Sequence, residues 1–174
     1  MSRRAIILVL DGVGIGEAPD AALYGDVGSG TLGSIARAVG RLHLPNFHLA
    51  RPTFDRGLLL ANLVDFDQPW GHRNDVVGFY QGLQAFDRAL PSIQAALRED
   101  DLLFVTADRG NDPTTPSSDH ALERAPLLAF GARSRPASVG ERATFSDVGA
   151  AVAEWPGVGF RGKETSFLGK LLAA

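Results

Sequence analysis

Cysteine is missing from all 174 residues, which excludes disulfide frameworks, zinc–thiolate centres and thiol nucleophiles. Any metal must therefore rest on Asp, Glu or His. Basic charge is also in short supply: 17 Lys and Arg face 20 Asp and Glu, for a formal charge of −3 and a pI near 5.8. No field is offered to a nucleic-acid backbone or an anionic membrane, and neither is expected as a partner. Long apolar runs are lacking as well. The run at the N-terminus, Ala5 to Leu10, is too short for a signal-peptide core or a membrane span and ends on the carboxylate of Asp11, so it predicts a buried strand of a cytoplasmic protein. Apolar residues make up 45% of the chain and charged residues 21%, values of a sequence that folds. The length suits one core, so residues 1–174 are expected to form a single α/β domain.

Four short runs rich in Val, Ile, Leu and Phe predict buried parallel strands: Ala5–Leu10, Leu58–Val64, Leu102–Thr106 and Leu127–Phe130. Continuous apolar runs of this length suit a sheet covered on both faces. Helical spacing lies between them. Thr31 is placed to cap a short helix carrying Leu32, Ile35 and Val39 and closed by Gly40. Asn74 is placed to cap a longer one through Val76, Phe79, Leu83, Phe86, Leu90, Ile93 and Leu97, kinked or broken near Pro91. Thr144 with Asp147 forms a capping pattern for a last helix through Val148, Val152 and Trp155. The interval from Gly40 to Gly57, with Pro45 and Pro52 and little periodicity, predicts a connector. Strands alternating with helices make a three-layer α/β sandwich with a mainly parallel sheet.

Ligands of open α/β sheets bind beyond the carboxyl ends of the strands. The first strand delivers Asp11 there. The second delivers Asp65-Phe66-Asp67 and then Gly71-His72, and the third delivers Asp108-Arg109-Gly110 with Asp112, Asp119 and His120. A single Asp after a strand is commonly a turn residue or a helix cap. Three strand ends sharing the habit, with two of the chain's four histidines in the same loops, point to a divalent cation on Asp11, Asp67, His72, Asp108 and His120. Oxygen and imidazole donors without sulfur suit Mn²⁺, Zn²⁺ or Mg²⁺. Gly12, Gly14 and Gly16 do not make a dinucleotide fingerprint, because the third glycine comes one residue early for G-x-G-x-x-G. Asp11 would also repel a pyrophosphate there unless a cation lay between them.

These stretches resemble the phosphopentomutases, a family of alkaline-phosphatase-superfamily metalloenzymes. The resemblance is carried by Val9-Leu10-Asp11-Gly12-Val13-Gly14-Ile15-Gly16, Gly25-Asp26-Val27-Gly28, Thr31-Leu32-Gly33 and Leu44-Pro45-Asn46. It continues through Asn62-Leu63-Val64-Asp65-Phe66-Asp67, Gly71-His72-Arg73, Thr106-Ala107-Asp108, Asp112-Pro113-Thr114 and Asp119-His120. Gly140-Glu141-Arg142, Thr144-Phe145-Ser146-Asp147 and Thr165-Ser166-Phe167 complete it. The resemblance implies an alkaline-phosphatase-like core and enzymes that interconvert ribose 1-phosphate and ribose 5-phosphate, or the deoxyribose pair, with Mn²⁺ ions and a phosphorylated threonine. Asp67, His72 and His120 resemble the ligands of one metal, Asp11 and Asp108 those of the other.

Two departures shape the expected function. The family carries histidine where this chain has Arg109, which removes an imidazole and places a fixed positive charge on the second metal site, so one ion is expected. The guanidinium has three roles open to it: neutralising Asp11 and Asp108, holding a phosphate in bidentate fashion, or forming a structural salt bridge. The family's Gly-Lys-Asp-Thr nucleophile segment and cap domain also find no match, and the cap is expected to have been inserted near residues 46–57. Thr31, as a helix cap, is a poor substitute nucleophile. A mutase must hold the phosphoryl group on itself behind a lid that excludes water. The expectation is thus a phosphopentomutase-like metal-binding protein that takes a sugar phosphate without mutase turnover, with weak metal-dependent phosphatase activity and a homo-oligomeric state both open to it. The alternative is a non-catalytic binding or assembly protein, either a decayed paralogue or an engineered core fragment.

Overall fold

A computed structural model describes residues 3–15, 18–23, 27 and 55–172. The expected Thr31–Gly40 helix, and all but the end of the Gly40–Gly57 connector, lie outside these residues.

Among them the four apolar runs form one sheet: β1 (Arg4–Leu10), β2 (Gly57–Leu63), β3 (Asp101–Thr106) and β4 (Leu127–Phe130), in the order β2-β1-β3-β4. β1 pairs in parallel with β2 on one side and β3 on the other, so three strands deliver their carboxyl ends to the same edge. β3 is buried along its whole length. At its first residue this is possible because the carboxylate of Asp101 is bonded by Arg4, with Nε 2.7 Å from Oδ1 and a second bond from Nη2 to Oδ2. The Arg98 N–H donates to Oδ2 as well, at 2.7 Å. A buried carboxylate satisfied in this way avoids the penalty of an unpaired charge.

Two strands depart from the expected buried parallel set. β4 runs antiparallel to β3. No helix intervenes in the segment joining them, and a return without a crossover helix brings the chain back in the opposite direction. β2 alternates between half-buried and exposed positions, with Leu58 and Leu60 48% and 58% exposed, so it is a one-faced edge strand among the described residues.

Helix α1 (Val76–Ala95) connects β2 to β3 and packs Phe79, Phe86 and Ile93 against Ile6, Leu8, Leu10, Leu103 and Val105. Helices α2 (Ser146–Glu154) and α3 (Leu168–Leu171) cover the opposite face, where Trp155, Phe167 and Leu168 bury Ala5, Leu102 and Phe104. The indole N–H of Trp155 donates to the Arg4 carbonyl at 3.1 Å. The result is the layered α/β architecture with a mainly parallel sheet. No described helix is long and apolar enough to cross a membrane.

Three local expectations change. The cap of α1 is Asp75, whose carboxylate accepts from Gly78 N at 2.9 Å. Asn74 instead takes φ +52°, a conformation that Asn tolerates better than most residues, and donates its amide to the Thr115 and Ser117 carbonyls. α1 passes Pro91 without a break. The Thr144–Asp147 capping pair does not form, because Asp147 turns to accept from Arg142 and from Thr165 N, while Thr144 Oγ1 receives Ser146 N at 3.2 Å.

Candidate metal centre

Leaving β1, the chain reaches Asp11 directly. Leaving β2, it makes a short 3₁₀ turn, Val64–Phe66, and a wide π turn, Asp67–Gly71, that sets Asp67 at its start and His72 just after its end. Phe66, fully buried edge-on against Trp70 and Phe79, anchors this turn to the core. Leaving β3, the chain enters a loop pinched at its base by the Gly110–Ala121 bridge, with Asp108 and Arg109 on the way out and His120 on the way back.

Asp67, His72 and His120 converge, each offering one donor atom, with all three atoms within 4.8 Å of one another. Asp67 Oδ1 is 3.1 Å from His120 Nε2 and 3.5 Å from His72 Nε2. Ligands about 2.0–2.2 Å from a tetrahedral ion stand roughly 3.3–3.6 Å apart, so these spacings are close to those of a ligand set. The chemistry of the donors fits too. His72 Nδ1 lies 2.6 Å from the Ser118 carbonyl, which can only accept, so the neutral ring carries its proton on Nδ1. Its Nε2 lone pair then faces a carboxylate oxygen, an acceptor against an acceptor, which a cation between them relieves.

The other half of the site is arranged differently. Arg109 Nε donates to Asp108 Oδ2 at 2.8 Å, and Gly12 N donates to Asp108 Oδ1 at 3.2 Å. Burial raises the Asp108 carboxyl, but these donors outweigh it and hold the group below its usual range. Asp11 moves the opposite way. Burial pushes it up, the amide of Asn62 at 2.8 Å opposes this, and the nearby carboxylates of Asp108 and Asp67 add to the rise. Asp11 Oδ1 is buried with no hydrogen-bond partner among the described residues. Arg109 in turn has its pKa raised, first by the bond to Asp108 and further by the charges of Asp108, Asp11 and Asp67.

Arg109 also extends further than its place in the sequence suggests. Its Nη1 stands 3.2 Å from His120 Nε2, the nitrogen that Asp67 also approaches. In the neutral ring that nitrogen can accept from Arg109 or donate to Asp67, but not both. The remaining strand-end acids stay outside the cluster. Asp112 is buried and accepts from Thr114 N and Oγ1, whereas Asp65 and Asp119 are exposed. Two contributors had no signal in the sequence. One is the Ser118 carbonyl, and the other is Asn111, whose Nδ2 donates to Asp67 Oδ1 at 3.2 Å from a fully buried position.

Residues 47–158 match the family model of the metalloenzyme superfamily, and the chain belongs to that superfamily. Within it, the chain is 50% identical over 117 residues to the phosphopentomutase of Desulfitobacterium hafniense strain DCB-2, and 49% identical over 117 residues to that of Acetivibrio thermocellus. Each match takes in 67% of this chain and 30% of the relative, so the chain spans less than a third of the length of these curated proteins. Among solved structures, the phosphoglycerate mutase of Leishmania mexicana, crystallised at low cobalt concentration, superposes with a TM-score of 0.53 at 17% identity. That superposition covers 89% of this chain and 28% of the other, and it supports the alkaline-phosphatase-like fold alone.

Proposed function

We propose that this chain is a phosphopentomutase-like protein that holds one divalent cation, Mn²⁺, on Asp67, His72 and His120 and binds a sugar phosphate without mutase turnover. A cation held there would polarise a phosphoryl oxygen and acidify a neighbouring water. The chain's own residues do the rest. Ser118 fixes the His72 tautomer through its carbonyl, and Asp67 supplies the negative charge between the two imidazoles. Arg109, bonded to Asp108 and beside His120, is still 47% exposed, so a phosphate can reach its guanidinium from solvent.

The observation that carries this reading is the position of Arg109. A guanidinium stays protonated at any ordinary pH and has no lone pair for an ion, so the Asp11–Asp108 half is filled by a cation belonging to the protein. Only the Asp67–His72–His120 half then remains for a metal. The reading includes a single core domain without a cap, since the residues between Asn46 and Gly57 are far too few to hold a domain.

A second reading, a non-catalytic binding protein, is favoured by one contact: Arg109 Nη1 approaches the His120 nitrogen that an ion needs. Phosphate release from ribose 5-phosphate with Mn²⁺ separates the two. A metal-dependent release abolished by His72→Ala supports the enzymatic reading, and binding of ribose 5-phosphate without release supports the second. Conversion of ribose 1-phosphate to ribose 5-phosphate well above a metal-free control overturns the absence of mutase turnover.

A further inference from the structure

Asn111 is 1% exposed and sits under the metal cluster without belonging to it. Its Nδ2 donates to Asp67 Oδ1, the oxygen that both imidazoles approach. Its Oδ1 is buried with no hydrogen-bond partner among the described residues. Flipping the amide would not repair this, because it would turn Oδ1 against the carboxylate. Half of the side chain is therefore left unsatisfied, at a cost to stability, while the other half makes one bond to one oxygen.

The surrounding backbone is shaped to keep it there. A Cβ on Gly71 would lie 2.4 Å from Asn111 Nδ2 and 2.8 Å from the Phe66 carbonyl. A Cβ on Gly12 would lie 3.0 Å from Asn111 Cβ and 3.4 Å from Asp67 Oδ1, and Gly12 also takes φ +80°, which side chains resist. Two glycines from different strand ends thus make the slot that confines the amide. Packing alone would be better served at this position by an apolar residue of the same size.

We infer that Asn111 is a positioning residue for the cation site, holding the Asp67 carboxylate in the orientation that presents it to the ion together with His72 and His120. The inference rests on the proposed metal-binding reading. A carboxylate with no such donor is free to rotate and to pair with either imidazole or with Arg109, and outer hydrogen bonds to ligands typically contribute 10–100-fold in metal affinity.

The test is calorimetric titration of the full chain with Mn²⁺ alone, together with thermal unfolding of the metal-free protein. Asn111→Leu keeps the branching and the number of side-chain heavy atoms, with bulkier methyl ends, and removes both the donor and the unsatisfied oxygen. It should weaken Mn²⁺ binding by roughly 10–100-fold, whichever way the larger methyl ends move the metal-free thermal midpoint. Asn111→Ala should lose similar affinity, and Gly71→Ala, which crowds the amide from the other side, should do so too. A residue that is merely structural would lower the midpoint and leave the affinity alone. Affinities within twofold of the parent in both Asn111 variants overturn the inference while the metal site stands. No Mn²⁺ binding by the parent overturns the metal-binding reading, and this inference with it.

Discussion

The two halves of the strand-end site are built from similar parts and meet opposite needs. In the Asp67–His72–His120 half, a carboxylate oxygen and two imidazole nitrogens face one another with no positive group of their own besides what Arg109 lends through His120. In the Asp11–Asp108 half, a guanidinium is already bonded to the carboxylate. One half leaves its counter-charge for an ion from solution to supply, whereas in the other a residue of the chain supplies it. Proximity of acidic groups is thus a poor guide to metal content, and what matters is whether the sequence has already supplied the counter-charge.

The sharpest way to break this contrast is to remove the imidazoles. The His72→Ala, His120→Ala double variant leaves Asp67 as a lone carboxylate and is expected to abolish Mn²⁺ binding, with elemental analysis falling from about one ion per chain to none. If the ion persists, it sits in the other half and the contrast is inverted.

A smaller effect follows from swapping the built-in cation for a ligand. Arg109→His removes the fixed charge and adds a nitrogen lone pair, so metal stoichiometry should rise from about one towards two per chain, still without mutase activity. An unchanged Mn²⁺ stoichiometry at saturation would mean that the arginine is not what closes the second half.

The smallest effect comes from a carboxylate–arginine pair remote from the site, which serves as the control. Asp147 is held below the usual carboxylate range, first by the Thr165 N–H at 3.0 Å, against the effect of burial, and then by Arg142 with its Nε 2.8 Å away. Because the folded value is depressed, the stabilisation is present above the ordinary carboxylate range and is lost as pH falls through the folded value. Thermal midpoints of Asp147→Asn against pH should therefore show a shallower acid-side decline than the parent, with Mn²⁺ affinity at neutral pH unchanged. An equally steep decline would show that this pair does not contribute to acid sensitivity.

The strands were legible in the sequence as short apolar runs bounded by polar residues, and of these Leu102 to Thr106 is the one buried along its whole length. The direction of Leu127–Phe130 was not legible, since an apolar run carries no arrow and direction depends on whether a helix intervenes. Asn74 and Asp75 are both good capping residues, and only the backbone angle at Asn74 decides between them. In the site, carboxylates and histidines stand out by residue type, so Asp67, His72 and His120 could be named in advance as a group. Asn111 could not, because an amide beside Asp-Pro looks like a turn residue and its hydrogen bond is made to a side chain 44 positions away. The approach of Arg109 to His120 was hidden for a similar reason: it depends on the loop folding back at the Gly110–Ala121 bridge.

That distance along the chain also bears on what a bound ion would hold together. Asp67 and His120 are 53 residues apart, on turns brought together by the pairing of β1 with both β2 and β3. Closing so long a loop costs entropy before any ligand contact repays it. Contacts of this range are present only in the folded chain, so a cation bound there would stabilise the folded state by mass action. Such an ion would act as a clasp between the ends of β2 and β3.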